Sequence, residues 1–160
     1  MALIHSILMG AVAGMRAMTP LAAVTNAARS GQLPLDNGAP RLLSNKLAST
    51  AMLALAGGEL AGDKMKTAPD RVVPAGMLAR VVTGAVAGAS LAPRKHRKLG
   101  AALGAGTAVG MAYLTFKLRM RSISRFGQTS TGMVEDAIAV GLAAAVTQSV
   151  KISNARRRYR

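Results

Sequence analysis

Residues Gly58–Arg80 read GELAGDKMKTAPDRVVPAGMLAR, and this stretch holds Glu59, Asp63 and Asp70, half of the six acidic residues in the chain. Lys64, Lys66, Arg71 and Arg80 are interleaved with them, and long runs of Ala, Val, Leu, Met and Gly lie on either side. A cluster of mixed charge between apolar runs predicts helices that leave and re-enter a membrane around a polar node. Glu59 and Asp63 are four residues apart and share one helix face. Both fall at the end of a helix, where the macrodipole disfavours negative charge, so they call for cationic partners, and Arg80 is expected to face them. Arg80 recurs with Gly84 and Gly88 at four-residue spacing, which aims it along a glycine groove toward a neighbouring helix.

Composition supports that reading. Hydrophobic residues make up 51% of 160, yet aromatics are 2% and Trp is missing, with 17 glycines in their place. A soluble core of this size relies on large aromatic side chains. Close-packed transmembrane helices rely on small ones. The interfacial aromatic belt is the one expected feature not found. With no Cys, disulfides and thiolate metal sites are excluded.

The net charge of +15 raises the question of nucleic acid. Position answers it: the basic residues bunch at the ends of apolar runs, as in PRKHRK at 93–98 and the tail from Lys151. Such clusters flank membrane spans. The four residues Tyr113, Phe116, Phe126 and Tyr159 make no base-stacking surface.

Five apolar segments follow in order: about 2–28, 47–62, 75–91, 99–116 and 133–150. The expectation is an all-α polytopic transmembrane bundle of about five spans, with four spans plus a re-entrant segment as the alternative. It forms one integral membrane domain over 1–160, with a short basic tail at 151–160. The first segment carries GAVAG at Gly10–Gly14 and then MRAMTP, where Pro20 predicts a kink by removing a hydrogen bond to the Arg16 carbonyl. Arg16 is then a charge deep in an apolar segment, costly unless paired. The third segment repeats GAVAG at Gly84–Gly88, too weak a recurrence in so Ala- and Gly-rich a chain to count as a repeat. The fourth carries Gly100 and Gly104, and the fifth Gly141, as further packing glycines. Glu135 and Asp136 sit in the first turn of the fifth, and KLRMRSISRFGQTST at 117–131 reads as a polar connection. Counting Lys and Arg per loop puts the N-terminus outside and the C-terminal tail in the cytoplasm of a bacterial inner membrane.

GMRAMTPLA at Gly14–Ala22, ELAGDK then PDR at Glu59–Arg71, ARVVTGAVAGA at Ala79–Ala89 and VEDAIAV at Val134–Val140 come in one order. In that order they resemble the uncharacterised bacterial membrane-protein family known as domain of unknown function 4126. Its members carry a proline soon after the Asp-Lys pair, where this chain has Lys66. The resemblance implies an integral membrane protein and brings no activity with it.

The candidate polar cluster is Arg16, Glu59, Asp63, Lys64, Arg71, Arg80, Glu135 and Asp136. The expected role is a small transporter or channel-like protein; the alternative is a membrane scaffold or lipid-binding protein whose charges staple helices. Carboxylates could hold a hard divalent cation, but as many cations surround them, so no metal and no cofactor are expected. His5 and His96 lie apart, and no nucleophile-base pairing suggests an enzyme. Expected partners are membrane lipids, a further copy of the chain and an unidentified solute.

Overall fold

The computed structural model describes residues 3–62 and 74–158. Six α-helices follow in order among them: α1 Ile4–Met15, α2 Thr19–Arg29, α3 Lys46–Gly62, α4 Pro74–Leu91, α5 Arg97–Phe126 and α6 Gln128–Arg158. Short 3-10 turns at Arg41–Ser44 and Arg94–His96 lead into α3 and α5. Asp63, Lys64, Lys66, Asp70 and Arg71 lie outside the described residues. The all-α helical bundle expected from the sequence is the fold observed. Helices α4, α5 and α6 are long and apolar enough to cross a membrane.

The bundle is built on glycine contacts. A Cβ added at Gly10 would collide with the Gly104 carbonyl, and one at Gly14 with Met111 and Ala108. Gly84 and Gly88 of α4 meet Gly104 and Gly100 of α5 in the same way. Backbones this close let Ser6 of α1 donate to the Gly88 carbonyl at 2.7 Å. Gly10, Gly14, Gly84, Gly88, Gly100 and Gly104, singled out by their spacing, all lie at close helix contacts. At Gly141 nothing lies within 4 Å of a Cβ, and the residue is exposed on α6. Large side chains such as Leu114, Leu118 and Leu142 are exposed, while Ala87, Ala108, Ala112 and Ala143 are buried. Small residues inside and large apolar ones outside suit a bundle whose solvent is lipid.

Contacts fix the direction of each helix. Along α1, Gly10 meets Gly104 and Gly14 meets Ala108, so α1 and α5 run parallel. Ser6 bonds Gly88 whereas Gly14 bonds Arg80, so α4 runs against them. Arg119 pairs with Glu135 across Gly127, so α6 runs back along α5. Arg16 pairs with Asp136, near the top of α6, while Asn154 donates to the Leu33 carbonyl at 3.4 Å. Positions 136 and 154 of α6 are about 27 Å apart at 1.5 Å per residue. Residues 30–33 reach at most about 14 Å. Helix α2 must therefore descend from the Arg16 level, beside α1 and opposite to it. The following loop ends where α1 began: Gly38 donates to the Ala92 carbonyl at 2.9 Å and Arg94 to that of Asp36 at 2.7 Å.

The first apolar segment is thus not one kinked span but a helical hairpin that turns back inside the bundle. The hairpin stands where a single span was expected at 2–28. It corrects two expectations. The N-terminal end of α1 lies at the same end of the bundle as loop 30–45, the 92–97 turn and the end of α6, not opposite the tail. Pro20 is not an interior kink but stands in the first turn of α2, where a missing N–H costs nothing. The break falls earlier, at Arg16, whose backbone is extended at φ −139° and ψ 121°. The 117–131 connection is also helical except at Gly127, whose φ of +80° ends α5. Lys, Arg, Met and Leu favour helix, and no proline interrupts them.

The glycine contacts give opposite outcomes for two neighbouring substitutions. Gly104→Ala drives a methyl into the Gly84 carbonyl and should destabilise by about 1–3 kcal/mol. Gly106→Ala, with nothing within 4 Å, should be neutral or stabilising by up to about 1 kcal/mol. Thermal unfolding in detergent reads both, and equal shifts would contradict the packing.

Candidate functional site

Turning a chain inside a lipid-solvated bundle leaves backbone groups at both helix ends without partners. Residues 16–18 form that turn, and three other helices serve it. Helix α1 ends in carbonyls. Arg80 of α4, buried at 5% exposure, donates from Nε to the Gly14 carbonyl at 3.2 Å and from its Nη1 to Gly76 at 2.9 Å. A cation at a helix C-terminus complements the macrodipole. Helix α2 begins with N–H groups. Glu59 of α3 accepts from Ala17 N–H at 2.7 Å and Met18 N–H at 2.8 Å, one on each carboxylate oxygen.

The acid that looked misplaced at the end of α3 is therefore the anion at the start of α2, where the dipole favours it. Arg80 is turned to the carbonyl side of the same turn, so the expected Arg80–Glu59 pairing is replaced by two separate caps. Asp63, the other half of that expectation, lies outside the described residues.

Between the caps, Arg16 is 1% exposed and forms an ion pair with Asp136 of α6. Glu135, one residue earlier and about 100° around α6, pairs with Arg119 at 3.3 Å. The structure thus brings Arg16, Glu59, Arg80 and Asp136 to one turn and sets Glu135 beside it. Lys64 and Arg71 lie outside the described residues. Arg119 was missed because its segment reads as a connection. Its signal is symmetry: Arg119 and Glu135 stand eight residues either side of Gly127, a hairpin pairing once Gly127 is taken as the turn.

Among the described residues, two hollows border this turn. One, of about 480 Å³, opens between α5 and α6 and is lined by Met15, Thr115, Leu118, Arg119, Ser122 and Glu135 among others. The other, of about 400 Å³, lies between α2, α3 and α6, with Thr19, Asn26, Leu53, Leu60, Val140 and Thr147 on its walls. Met15 ends α1 and Thr19 begins α2, so the hollows flank the turn and its Arg16–Asp136 pair. Among the described residues no group of three His, Asp or Glu could hold a metal ion.

Removing the α2 cap tests this account. Glu59→Ala leaves the Ala17 and Met18 N–H groups without acceptors and should cost about 2–4 kcal/mol. Glu59→Gln keeps one acceptor oxygen and should cost about half as much. Arg80→Lys should recover part of an Arg80→Ala loss, since a point charge replaces a fork. Melting temperatures in detergent decide; a wild-type value for Glu59→Ala would refute the cap.

No curated protein and no solved structure matches this chain. The model of one family does, over residues 3–150, and it covers the hairpin, the Glu59 and Arg80 caps and the Asp136 partner alike. The chain belongs to that family, described as Domain of unknown function (DUF4126).

Proposed function

We propose that this protein is a small transporter or channel-like protein of a bacterial inner membrane, with the α1–α2 turn as the control point of its route. The observation that carries this reading is the hairpin turn itself, set between two hollows and crossed by a buried ion pair. Broken helices inside membranes present backbone dipoles to solutes and sit near the middle of the bilayer. Irregular backbone at that depth is tolerated where protein buries it or where it lines a cavity. The first condition is met at Arg16 and Ala17, which are buried, and the hollows begin beside them at Met15 and Thr19. On this reading, opening the Arg16–Asp136 contact connects the two hollows.

One observation favours the scaffold reading. Glu59 and Arg80 cap the turn and Asp136 neutralises Arg16, an economy that a static staple would also display. Flux separates the two.

Orientation follows from charge. Arg29, Arg41, Lys46, the 93–98 cluster and Lys151–Arg158 lie at one end of the bundle, and the positive-inside rule assigns that end to the cytoplasm. Reporters fused ahead of Ile4 and after Val150 should both give cytoplasmic signals. A periplasmic signal from either would overturn this orientation.

Proteoliposomes carrying the purified protein should show flux of at least one solute in a screen of ions and small metabolites. Arg16→Gln should abolish that flux. Because it strands Asp136, the double variant Arg16→Gln/Asp136→Asn restores a neutral hydrogen-bonding pair and separates charge from packing. A folded wild type with no flux across the screen supports the scaffold, whereas full flux in the folded double variant would overturn the Arg16–Asp136 charge pair as the control point of the route.

A further inference from the structure

We propose that the hollow between α2, α3 and α6 binds an uncharged, partly apolar small molecule whose hydrogen-bonding head is held by Thr19. This rests on the transport reading insofar as it names the class of solute, while the binding it states is measured apart from flux.

The hydroxyl of Thr19 carries the inference. Threonines buried in helices normally spend their hydroxyl on a carbonyl three or four residues back. Thr25 donates to Leu21 at 2.8 Å, Thr83 to Arg80 at 3.3 Å and Thr115 to Met111 at 2.8 Å. Thr19 is the first residue of α2, and the extended backbone at Arg16 removes the helical carbonyls that would have served it. Its residue is 6% exposed and its Oγ1 has no hydrogen-bond partner among the described residues. A buried hydroxyl left in this state is costly and is unusual in a settled interior. Thr19 also lines the hollow, and its Oγ1 is buried behind that wall, so a rotation about Cα–Cβ that turns the hydroxyl toward the hollow would let an entering molecule supply the partner.

The walls define the rest of the molecule. Alanines of α2 and α6 and the leucines of α3 make most of the surface, and the polar groups are Thr19, Asn26, Gln32 and Thr147. All four are neutral. Thr147 already donates to the Ala143 carbonyl at 3.0 Å, and Asn26 is exposed at the rim, where it accepts from Arg29. The nearby Glu59 carboxylate is taken by Ala17 and Met18. An ion entering here would shed water with no opposite charge on the walls to receive it. A pure hydrocarbon would leave Thr19 unmet. At about 400 Å³ the hollow falls within the usual size of a small-molecule site.

The test uses the full chain in lipid nanodiscs and two photoactivatable probes: a diazirine-bearing medium-chain alcohol and the matching diazirine alkane. The alcohol should label the α2 or α6 wall saturably, and the alkane more weakly. Thr19→Val, which keeps the shape and removes the hydroxyl, should weaken alcohol labelling roughly 3- to 10-fold. Thr19→Ser should retain it. Ala144→Phe, on an exposed wall, should block it by filling the hollow. Equal labelling by alcohol and alkane, or alcohol labelling unmoved by Thr19→Val or by Ala144→Phe, would mean a lipid-filled seam and overturn the proposal. Labelling that behaves as expected in a protein without flux would keep the site and remove the transport reading instead.

Discussion

A polypeptide that reverses direction inside lipid must find partners for the polar backbone it exposes, and the rest of this structure depends on how that is done at residues 16–18. The carbonyl end of α1 takes a guanidinium from α4, and the amide end of α2 takes a carboxylate from α3. Each charge meets the dipole end that favours it. The remaining charge at the turn, Arg16, is neutralised by Asp136 of α6. Three helices far apart in sequence thus supply the turn, so it can exist only once the bundle has assembled.

Close backbone contact is the other half of that condition. Gly84, Gly88, Gly100 and Gly104 bring α4 against α5, and Gly10 and Gly14 seat α1 in the groove beside them. This packing sets the height of Arg80 relative to Gly14 with little room for error. A bulkier α4–α5 seam would lift the guanidinium away from the carbonyl it serves. The small-residue stripes and the charged residues therefore form one design rather than two.

Much of this was legible in the sequence, and the limits have physical causes. The glycine stripes were readable because four-residue spacing on a helix fixes a face without knowledge of the partner. Arg16, Glu59 and Arg80 stood out because charge in an apolar run demands compensation, whereas Asp136 read as an ordinary acid in the first turn of a helix. Which charge met which could not be read: Glu59 at the end of one helix and Arg80 in the next suggest a side-chain ion pair, whereas the acceptor was needed by a backbone break that the sequence does not show. Pro20 marked the right neighbourhood but the wrong event, since a proline that kinks one helix and a proline that starts another leave the same signature. Thr19 gave no signal, because only the loss of its helical acceptor makes its hydroxyl stand out.

The two ways of satisfying the turn also bear on what it could do. Backbone caps donated by distant side chains are strong when closed, yet each depends on one helix holding its position. Helix α3 is the least committed of these, with Ser49 and Ala56 its only described residues that are buried. Its Glu59 closes the amide end of the turn, and its Leu53 and Leu60 form one wall of the α2–α6 hollow. A small displacement of α3 would therefore widen the hollow and release the α2 cap together. The element that seals the polar turn is the same one that shapes the space beside it, so the cap and the hollow are mechanically tied through α3.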